Sequence, residues 1–411
     1  MKISFYTLGC RLNHSESDIL ASNFKNNGYN IVDFDKKAQI KIINTCTVTA
    51  QAGKKSRNII YKALKELDEN EDSYVFVTGC HSKFVKNELD NTVKNFDRLI
   101  IIDNLKKAYT YDMIESYIKK EVFDKKENNT FIEGLASPLK HTKLFIKIQD
   151  GCNNKCSFCI IPEVRGKAVS QDFNKIIDNV EQALISGYKE IVLTGINIGR
   201  YESDNKNIKD LIKEILKIEK DFRLSISSIE PYGIDEDFIA LFENDKLIKH
   251  LHICLQSGSD RILLQMRREY LYKEYKQIIE KIRSKFEIFN ISTDIIVGFP
   301  NETEEDFNKT LQAIKENDFS WVHVFPYSDR NNTRSSRMQD KINKNIKDQR
   351  AQIITELIEK QKMEFIKKTE NFKRKILIEE VKDAYAYGYD QFYVKNKIKD
   401  KNYSRNDIVE I

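Results

Sequence analysis

The sequence holds little proline and little glycine, five and fourteen residues in 411, which excludes collagen-like and proline-rich disordered chains. It has no uncharged apolar run of about 18 residues, the length a membrane-spanning helix needs. An excess of one charge is also missing. The 68 basic and 63 acidic residues leave a net +5, which permits a nucleic-acid partner without requiring one. Met1-Lys2-Ile3-Ser4-Phe5-Tyr6 lacks the apolar stretch and cleavage site of a secretory signal, so a soluble, cytoplasmic protein is expected. A chain this long implies two or three domains.

What is present is a set of seven cysteines, at 10, 46, 80, 152, 156, 159 and 254. An odd count in a chain of cytosolic character points to metal or redox chemistry and away from a disulfide framework. Apolar periodicity predicts strands over 3–8, 40–43, 74–77 and 98–102, with helices over 15–27 and 49–67 and after Ser82. Strands alternating with helices imply an α/β fold, here a mostly parallel, doubly wound sheet. Its first three strands each run into a polar turn with one cysteine: Thr7-Leu8-Gly9-Cys10, Asn44-Thr45-Cys46 and Thr78-Gly79-Cys80. A buried structural cysteine belongs inside a strand. Thiols at the carboxyl ends of three parallel strands instead predict a shared metal site.

A charged stretch over 119–139 reads as a linker. A second series of strands follows, over 144–148, 190–193, 223–227, 250–255, 291–297 and 321–325. Helices over 174–186, 235–242, 272–286 and 303–316 separate them. Six such units predict a partial parallel barrel, with functional groups at the C-terminal strand ends. A long charged helix over 345–369 precedes short strands over 375–379, 391–394 and 407–411, expected to form a small β domain.

After the first barrel strand comes Cys152-Asn153-Asn154-Lys155-Cys156-Ser157-Phe158-Cys159, three thiols spaced C-x3-C-x2-C. Thiolates select zinc or iron–sulfur clusters. A structural zinc site wants a fourth ligand, and His141 is poorly placed to serve. Three thiolates leave one iron of a cubane cluster free for an outside ligand. With an aromatic residue before the last cysteine, at the opening of a βα barrel, the motif resembles that of radical S-adenosylmethionine enzymes. In those enzymes the free iron chelates S-adenosylmethionine, whose reductive cleavage gives a 5′-deoxyadenosyl radical.

With both cysteine sets in view, nearly the whole chain resembles the methylthiotransferase family of these enzymes. The flanks Thr7-Leu8-Gly9-Cys10-Arg11-Leu12-Asn13-His14, Asn44-Thr45-Cys46-Thr47-Val48-Thr49, Leu193-Thr194-Gly195-Ile196 and His323-Val324-Phe325-Pro326-Tyr327-Ser328 resemble the branch acting on N6-threonylcarbamoyladenosine in tRNA. The isopentenyladenosine and ribosomal-protein aspartate branches share the cysteines and differ in these flanks. A rival of another class is a non-catalytic iron–sulfur or zinc RNA-binding protein. The resemblance implies an N-terminal cluster domain over 1–118, a linker over 119–139, a radical barrel over 140–371 and a short TRAM-like RNA-binding domain over 372–411.

It further implies two 4Fe–4S clusters, a radical one on Cys152, Cys156 and Cys159 and an auxiliary one on Cys10, Cys46 and Cys80. One S-adenosylmethionine would supply the radical and a second the methyl group. Phe158, Gly195, Gln256, Ser257, Ile296 and Gly298 would line the cofactor. The partners would be a tRNA anticodon stem-loop and an electron donor such as a flavodoxin or ferredoxin. Arg165, Arg267 and Arg268 are expected as solvated charges, with RNA phosphate as the alternative. Cys254, where relatives commonly carry proline, is expected as a buried thiol.

Overall fold

The computed structural model describes residues 1–67, 72–89, 93–125, 127–136, 142–399 and 402–411. The chain divides into two compact units, Met1–Leu139 with Asp150–Asn153 and Cys159–Gln171, and Lys140–Gln149 with Asn154–Phe158 and Asp172–Ile411. Among the described residues, no helix is long and apolar enough to cross a membrane.

The first unit is built on strands β1 (Lys2–Thr7), β2 (Asn30–Val32), β3 (Ile40–Thr45), β4 (Tyr74–Gly79) and β5 (Leu99–Ile101). All pair in parallel, in the order β2-β1-β3-β4-β5. Helices α1 (Arg11–Asn26), α2 (Ala50–Lys65), α3 (Ser82–Glu88) and α4 (Thr110–Lys119) cover both faces. The period-two alternation of β4 shows how. Val75 and Val77 pack against Ile60 and Leu64 of α2 and Val85 of α3, whereas Phe76 meets Phe24 of α1 and Ile114 of α4. With strands buried on both sides, near-continuous apolar runs such as Ile40-Lys41-Ile42-Ile43 are the pattern required. Gly28 ends α1 in the left-handed region, at φ +84°, as its place in the sequence predicts. The edge strand β2 offers only the apolar pair Ile31-Val32 between Asn30 and Asp33, too little pattern to predict a strand, whereas the equally short β5 sits in the run Leu99-Ile100-Ile101-Ile102.

After α4 the stretch predicted as a linker has no regular element among its described residues. It is fastened to the first unit nonetheless. Asn129 O accepts from Ala108 N at 3.0 Å, Glu133 O accepts from Asn23 Nδ2 at 2.9 Å, and Thr130 and Ala136 are buried. Ser137, Pro138 and His141 lie outside the described residues.

The chain continues with β6 (Lys143–Lys147), the two-residue strands β7 (Gln149–Asp150) and β8 (Val169–Ser170), β9 (Glu190–Thr194), the short hairpin β10 (Glu202–Ser203) and β11 (Lys206–Asn207), and β12 (Arg223–Ile226). Then come β13 (His250–His252), β14 (Asn290–Val297) and β15 (Trp321–Pro326). The parallel sheets β12-β9-β6 and β13-β14-β15 are linked by bridges Leu224–Leu247 and Ile229–Ile253. This is the six-stranded partial barrel the sequence predicts. The connecting helices are amphipathic; Ile208, Leu211, Ile212 and Ile215, for example, are the buried residues of the helix Ile208–Leu216.

The long helix Lys344–Thr369 leads into an antiparallel sheet of β16 (Lys375–Lys382), β17 (Tyr385–Tyr389), β18 (Lys395–Lys399) and β19 (Ile408–Glu410), in the order β18-β17-β16-β19. The strand predicted over 391–394 is a turn. Asp390 Oδ1 accepts from the backbone N–H groups of Phe392 and Val394, both at 2.9 Å, and Tyr393 is left-handed at φ +59°. An Asp side chain competing for local N–H groups overrides the β-propensity of Phe-Tyr-Val.

A buried ion cluster ties this sheet to the barrel. Glu190, fully buried at the start of β9, takes Arg223 Nε at 3.1 Å, Ser225 Oγ at 2.8 Å and Lys143 Nζ at 3.5 Å. Arg223 Nη1 also donates to Tyr389 O at 2.8 Å, and Lys143 pairs with Glu379 at 2.8 Å. Burial raises the Glu190 carboxyl, but Arg223 and Lys143 together hold it below the ordinary value. The folded carboxyl is thus the stronger acid. Its contribution is full above the unfolded pKa of about 4.3 and is lost as pH falls through the lowered folded value. Glu190→Gln is expected to cost about 3–5 kcal/mol at neutral pH and to flatten the acid limb of stability against pH. Chemical denaturation of both proteins between pH 7 and 3 checks this, and coincident acid limbs would refute it.

Candidate cluster and cofactor site

The sheet order places β1, β3 and β4 side by side, and the chain after each carries a cysteine: Cys10 at the N-terminus of α1, Cys46 directly after β3, Cys80 directly after β4. The approach is close. At Gly9, left-handed at φ +98°, a Cβ would lie 2.7 Å from Cys46 Cβ and 2.9 Å from its Sγ. At Gly79, at φ +92°, it would lie 2.4 Å from Thr45 O. Only glycine meets both requirements. Side-chain bonds then fix the turns. Asn13 Nδ2 donates to Leu8 O and Thr45 O at 2.8 and 3.0 Å, and Ser56 Oγ bonds the backbone of Cys46 on both sides. Cys46 and Cys80 are buried and Cys10 is exposed. Burial, then the neighbouring Cys80 and Cys10 thiols, push Cys46 up to about 11.

Arg165, at the end of helix α5 (Ile161–Arg165), has its guanidinium among these residues and is fully buried. Nη1 pairs with Asp150 Oδ1 at 2.8 Å, Nη2 donates to Asn13 Oδ1 at 2.7 Å, and Nε donates to Cys80 Sγ at 3.2 Å. Glu16 lies 3.6 Å from Nη1 and also binds the buried Lys107. The expectation of a solvated Arg165 is therefore corrected. Burial lowers its basicity, but Asp150, Cys80 and Glu16 raise it further, and it stays charged.

The C-x3-C-x2-C loop contributes to both units. In the first, Gly151 is left-handed at φ +64°, where a Cβ would sit 2.0 Å from Lys167 O, and Cys152 N donates to Gly166 O at 3.2 Å. In the second, Ser157 is pinned by Met266 O, Gln265 O and Ser335 N, at 2.8–2.9 Å. Phe158 packs with Ile262, Met266, Ile296 and Phe299. Arg268 Nη1 donates to Cys156 Sγ at 3.1 Å while its other arm pairs with Glu230. Arg268 is thus another buried cation where a solvated one is expected; Arg267 beside it is exposed.

Gly195 follows β9 where a Cβ would meet Gln149 O at 2.8 Å and Ile198 Cγ2 at 2.9 Å. Gln256 is left-handed at φ +73° and spans between Asp294 O and Ile296 N. The Ser257 hydroxyl is shared with Thr310 and Ser259, and Gly298, at φ +69°, donates to Glu302 Oε2 at 2.6 Å. Phe158 and Ile296 thus share one apolar cluster, while Ser257 and Gly298 hold turns together. Guanidinium donors aimed at cysteine sulfur are the setting that iron–sulfur thiolates take. The residues fit a cluster.

Removing the Arg165 charge would leave Asp150 and Glu16 buried with less compensation. Arg165→Met is expected to lower the stability of the first unit by about 3–5 kcal/mol. Arg165→Lys keeps the charge but not the fork of donors that reaches Asp150, Asn13 and Cys80 with separate nitrogens, so it should recover only part. Denaturant titration of the three proteins checks the order, and equal midpoints would overturn it.

Residues 146–314 match the Radical SAM superfamily and residues 2–100 match uncharacterized protein family UPF0004. The chain is 37% identical to the threonylcarbamoyladenosine tRNA methylthiotransferase MtaB of Aquifex aeolicus, over 92% of this chain and 93% of that one. It is 36% identical to the protein of the same name from Bacillus subtilis, over 96% and 89%. The tRNA-2-methylthio-N(6)-dimethylallyladenosine synthase of Clostridium tetani is 34% identical, over 91% and 84%. Among solved structures, the radical S-adenosylmethionine methyltransferase TsrM from Kitasatospora setae shares the fold, with a TM-score of 0.58 at 13% identity, over 82% of this chain and 75% of that one. An enzyme that takes a 4Fe–4S cluster and S-adenosylmethionine follows from these matches and from the thiols described. The chain belongs to the methylthiotransferase family of radical S-adenosylmethionine enzymes.

Proposed function

We propose that this enzyme methylthiolates C2 of N6-threonylcarbamoyladenosine beside the anticodon of tRNA, with two 4Fe–4S clusters and two S-adenosylmethionine molecules. The observation that carries the reading is the gathering of Cys10, Cys46 and Cys80 at adjacent strand ends, in a chain that also holds the C-x3-C-x2-C loop. Cys152, Cys156 and Cys159 would hold the radical cluster, and Cys10, Cys46 and Cys80 the auxiliary one that carries sulfur. When bound, the clusters supply the electron that cleaves S-adenosylmethionine and a platform for sulfur. The chain's own residues bind and orient. Arg268 and Arg165 each donate to one ligand sulfur, at 3.1 and 3.2 Å. The lack of a side chain at Gly195, with Phe158, Gln256, Ser257, Ile296 and Gly298 near the strand ends, would shape the cofactor cradle. The reducing partner would be of the flavodoxin or ferredoxin class, and the setting the cytoplasm.

For RNA, the C-terminal sheet offers a fitting face. Tyr385 and Tyr387 flank buried Ala386 and stand opposite Lys399 and Lys397 on β18, whereas Tyr389, opposite Lys395, stacks on Tyr393 and lies under Lys143. Lys397 Nζ lies 4.0 Å from the Tyr385 ring centroid. Aromatic faces interleaved with cations suit phosphates and unpaired bases. The relatives named for threonylcarbamoyladenosine and those named for dimethylallyladenosine both cover most of the chain. The flanks of Cys10 and Cys46 therefore carry the choice of branch.

Anaerobically reconstituted protein is expected to hold about eight irons per chain, and about four after Cys152, Cys156 and Cys159 are changed together to Ala. That variant should lose cleavage of S-adenosylmethionine, and retained cleavage would refute the radical-loop assignment. Complementation of two strains, each lacking one adenosine methylthiolation, tests the substrate by mass spectrometry of tRNA nucleosides. Rescue of only the isopentenyl product would overturn the branch.

The Tyr–Lys face makes its own prediction. Changing Lys395, Lys397 and Lys399 together to Ala should weaken tRNA binding and reduce the slope of log affinity against log salt by about 3. An unchanged slope would place the RNA contacts elsewhere.

A further inference from the structure

One cluster of ligating side chains remains outside the two cysteine sets. His252 ends β13, and Cys254 follows two residues on, so the period of two puts both on one face. Ser292 of β14 pairs in register with His252, and Asp294 lies two residues further along that strand. His252 Nε2 stands 3.1 Å from Asp294 Oδ1, and Cys254 Sγ stands 3.8 Å from Asp294 Oδ2. One donor atom from each of the three residues lies within 4.8 Å of the others. The geometry points to a mononuclear site for a borderline divalent cation of the zinc type, bound by His252, Cys254 and Asp294.

The separations suit such an ion. With ligand bonds of about 2.0–2.3 Å, the edges of a tetrahedral site run about 3.3–3.6 Å. The His252 contact with Asp294 Oδ1, at 3.1 Å, is slightly shorter and the Cys254 contact with Asp294 Oδ2, at 3.8 Å, slightly longer, so small side-chain rotations bring the donors onto one ion. Mixed nitrogen, sulfur and oxygen donors select zinc-like ions and disfavour magnesium or calcium. Three protein ligands are the number found where zinc keeps one position open.

The surroundings are those of a held site. Ser292 Oγ lies 2.9 Å from His252 Nδ1 and orients the ring with Nε2 toward Asp294. The backbone carrying Cys254 is pinned on both sides. Tyr270 OH donates to Cys254 O at 2.6 Å, Tyr275 OH to Ile253 O at 3.0 Å, and Leu255 N to Thr293 Oγ1 at 3.0 Å. The charges facing the thiol are Glu230, Asp294 and Arg268. Without a cation, burial and the two carboxylates push it up. Zinc would deprotonate it and pair with it.

Zinc uptake by the cluster-loaded protein provides the test, with zinc and iron counted after anaerobic dialysis against micromolar zinc chloride. Wild type is expected to take up one zinc per chain at full iron content. Cys254→Ser and Asp294→Asn, at the same iron content and the same melting temperature, should lose at least tenfold in affinity. Uptake by these variants equal to wild type would overturn the proposal. X-ray absorption at the zinc edge of wild type needs no variant. One sulfur with nitrogen and oxygen neighbours is the expected shell. A shell of three or four sulfurs would place the zinc in cysteine positions meant for iron, and no uptake would leave the three residues a hydrogen-bonded group; either result ends the proposal.

Discussion

The first unit is organised around one buried cation. The Arg165 guanidinium reaches Asp150, Asn13 and Cys80 with three different nitrogens, so one planar group sets α1, the end of β4 and the start of the cysteine loop in register. No other side chain has that reach. Lysine would offer a single ammonium and no fixed fork. Arg165 must stay charged to compensate Asp150 and, together with the buried Lys107, Glu16, and a charge held there in low dielectric presents a steady positive field to the thiols. Asn13 extends the arrangement, taking Arg165 on its oxygen and giving its nitrogen to the backbone turns before Cys10 and Cys46.

The second unit repeats the device in two places. Arg268 joins Glu230 to Cys156, and Arg223 joins Glu190 to the backbone of the C-terminal sheet. In each case a carboxylate retains the guanidinium and leaves a nitrogen free to donate elsewhere. Such pairs seldom add net stability over apolar packing. Here they place donors against cysteine sulfur, and they fasten a sheet whose own core is small. That core consists of Ile376, Ile378, Ala386 and Val409, with Ile398 and Tyr403 packed against it. A sheet of that size needs anchoring, and Arg223, Lys143 and the stacking of His250 on Tyr393 at 4.7 Å provide it.

Where the chain must approach itself closely, glycine or a left-handed residue appears next to the chemistry. Gly9 and Gly79 flank the sheet-edge thiols, Gly151 opens the cysteine loop and Gly195 follows β9. With only fourteen glycines in the chain, their concentration at these turns reflects backbone geometry that bulkier residues could not adopt.

Local pattern carried a great deal. Apolar runs and helix stops are read within one turn or one strand, so the sequence by itself determined the barrel strands, most of the first sheet and the cysteine loop. It also placed a cysteine after each of three strands, because a strand end is a local event. Where local signals compete, reading failed. Phe392-Tyr393-Val394 looks like a strand, yet Asp390 turns it, and the strand lies just ahead, over Tyr385–Tyr389. Only the tertiary structure decided that β1, β3 and β4 are neighbours, since strand order is a property of the sheet and not of any segment. It alone buried Arg165 and Arg268, whose thiol partners lie 85 and 112 residues away, and brought Asp294 to Cys254 across 40. Charge and burial depend on neighbours in space, and a sequence window holds only neighbours in the chain.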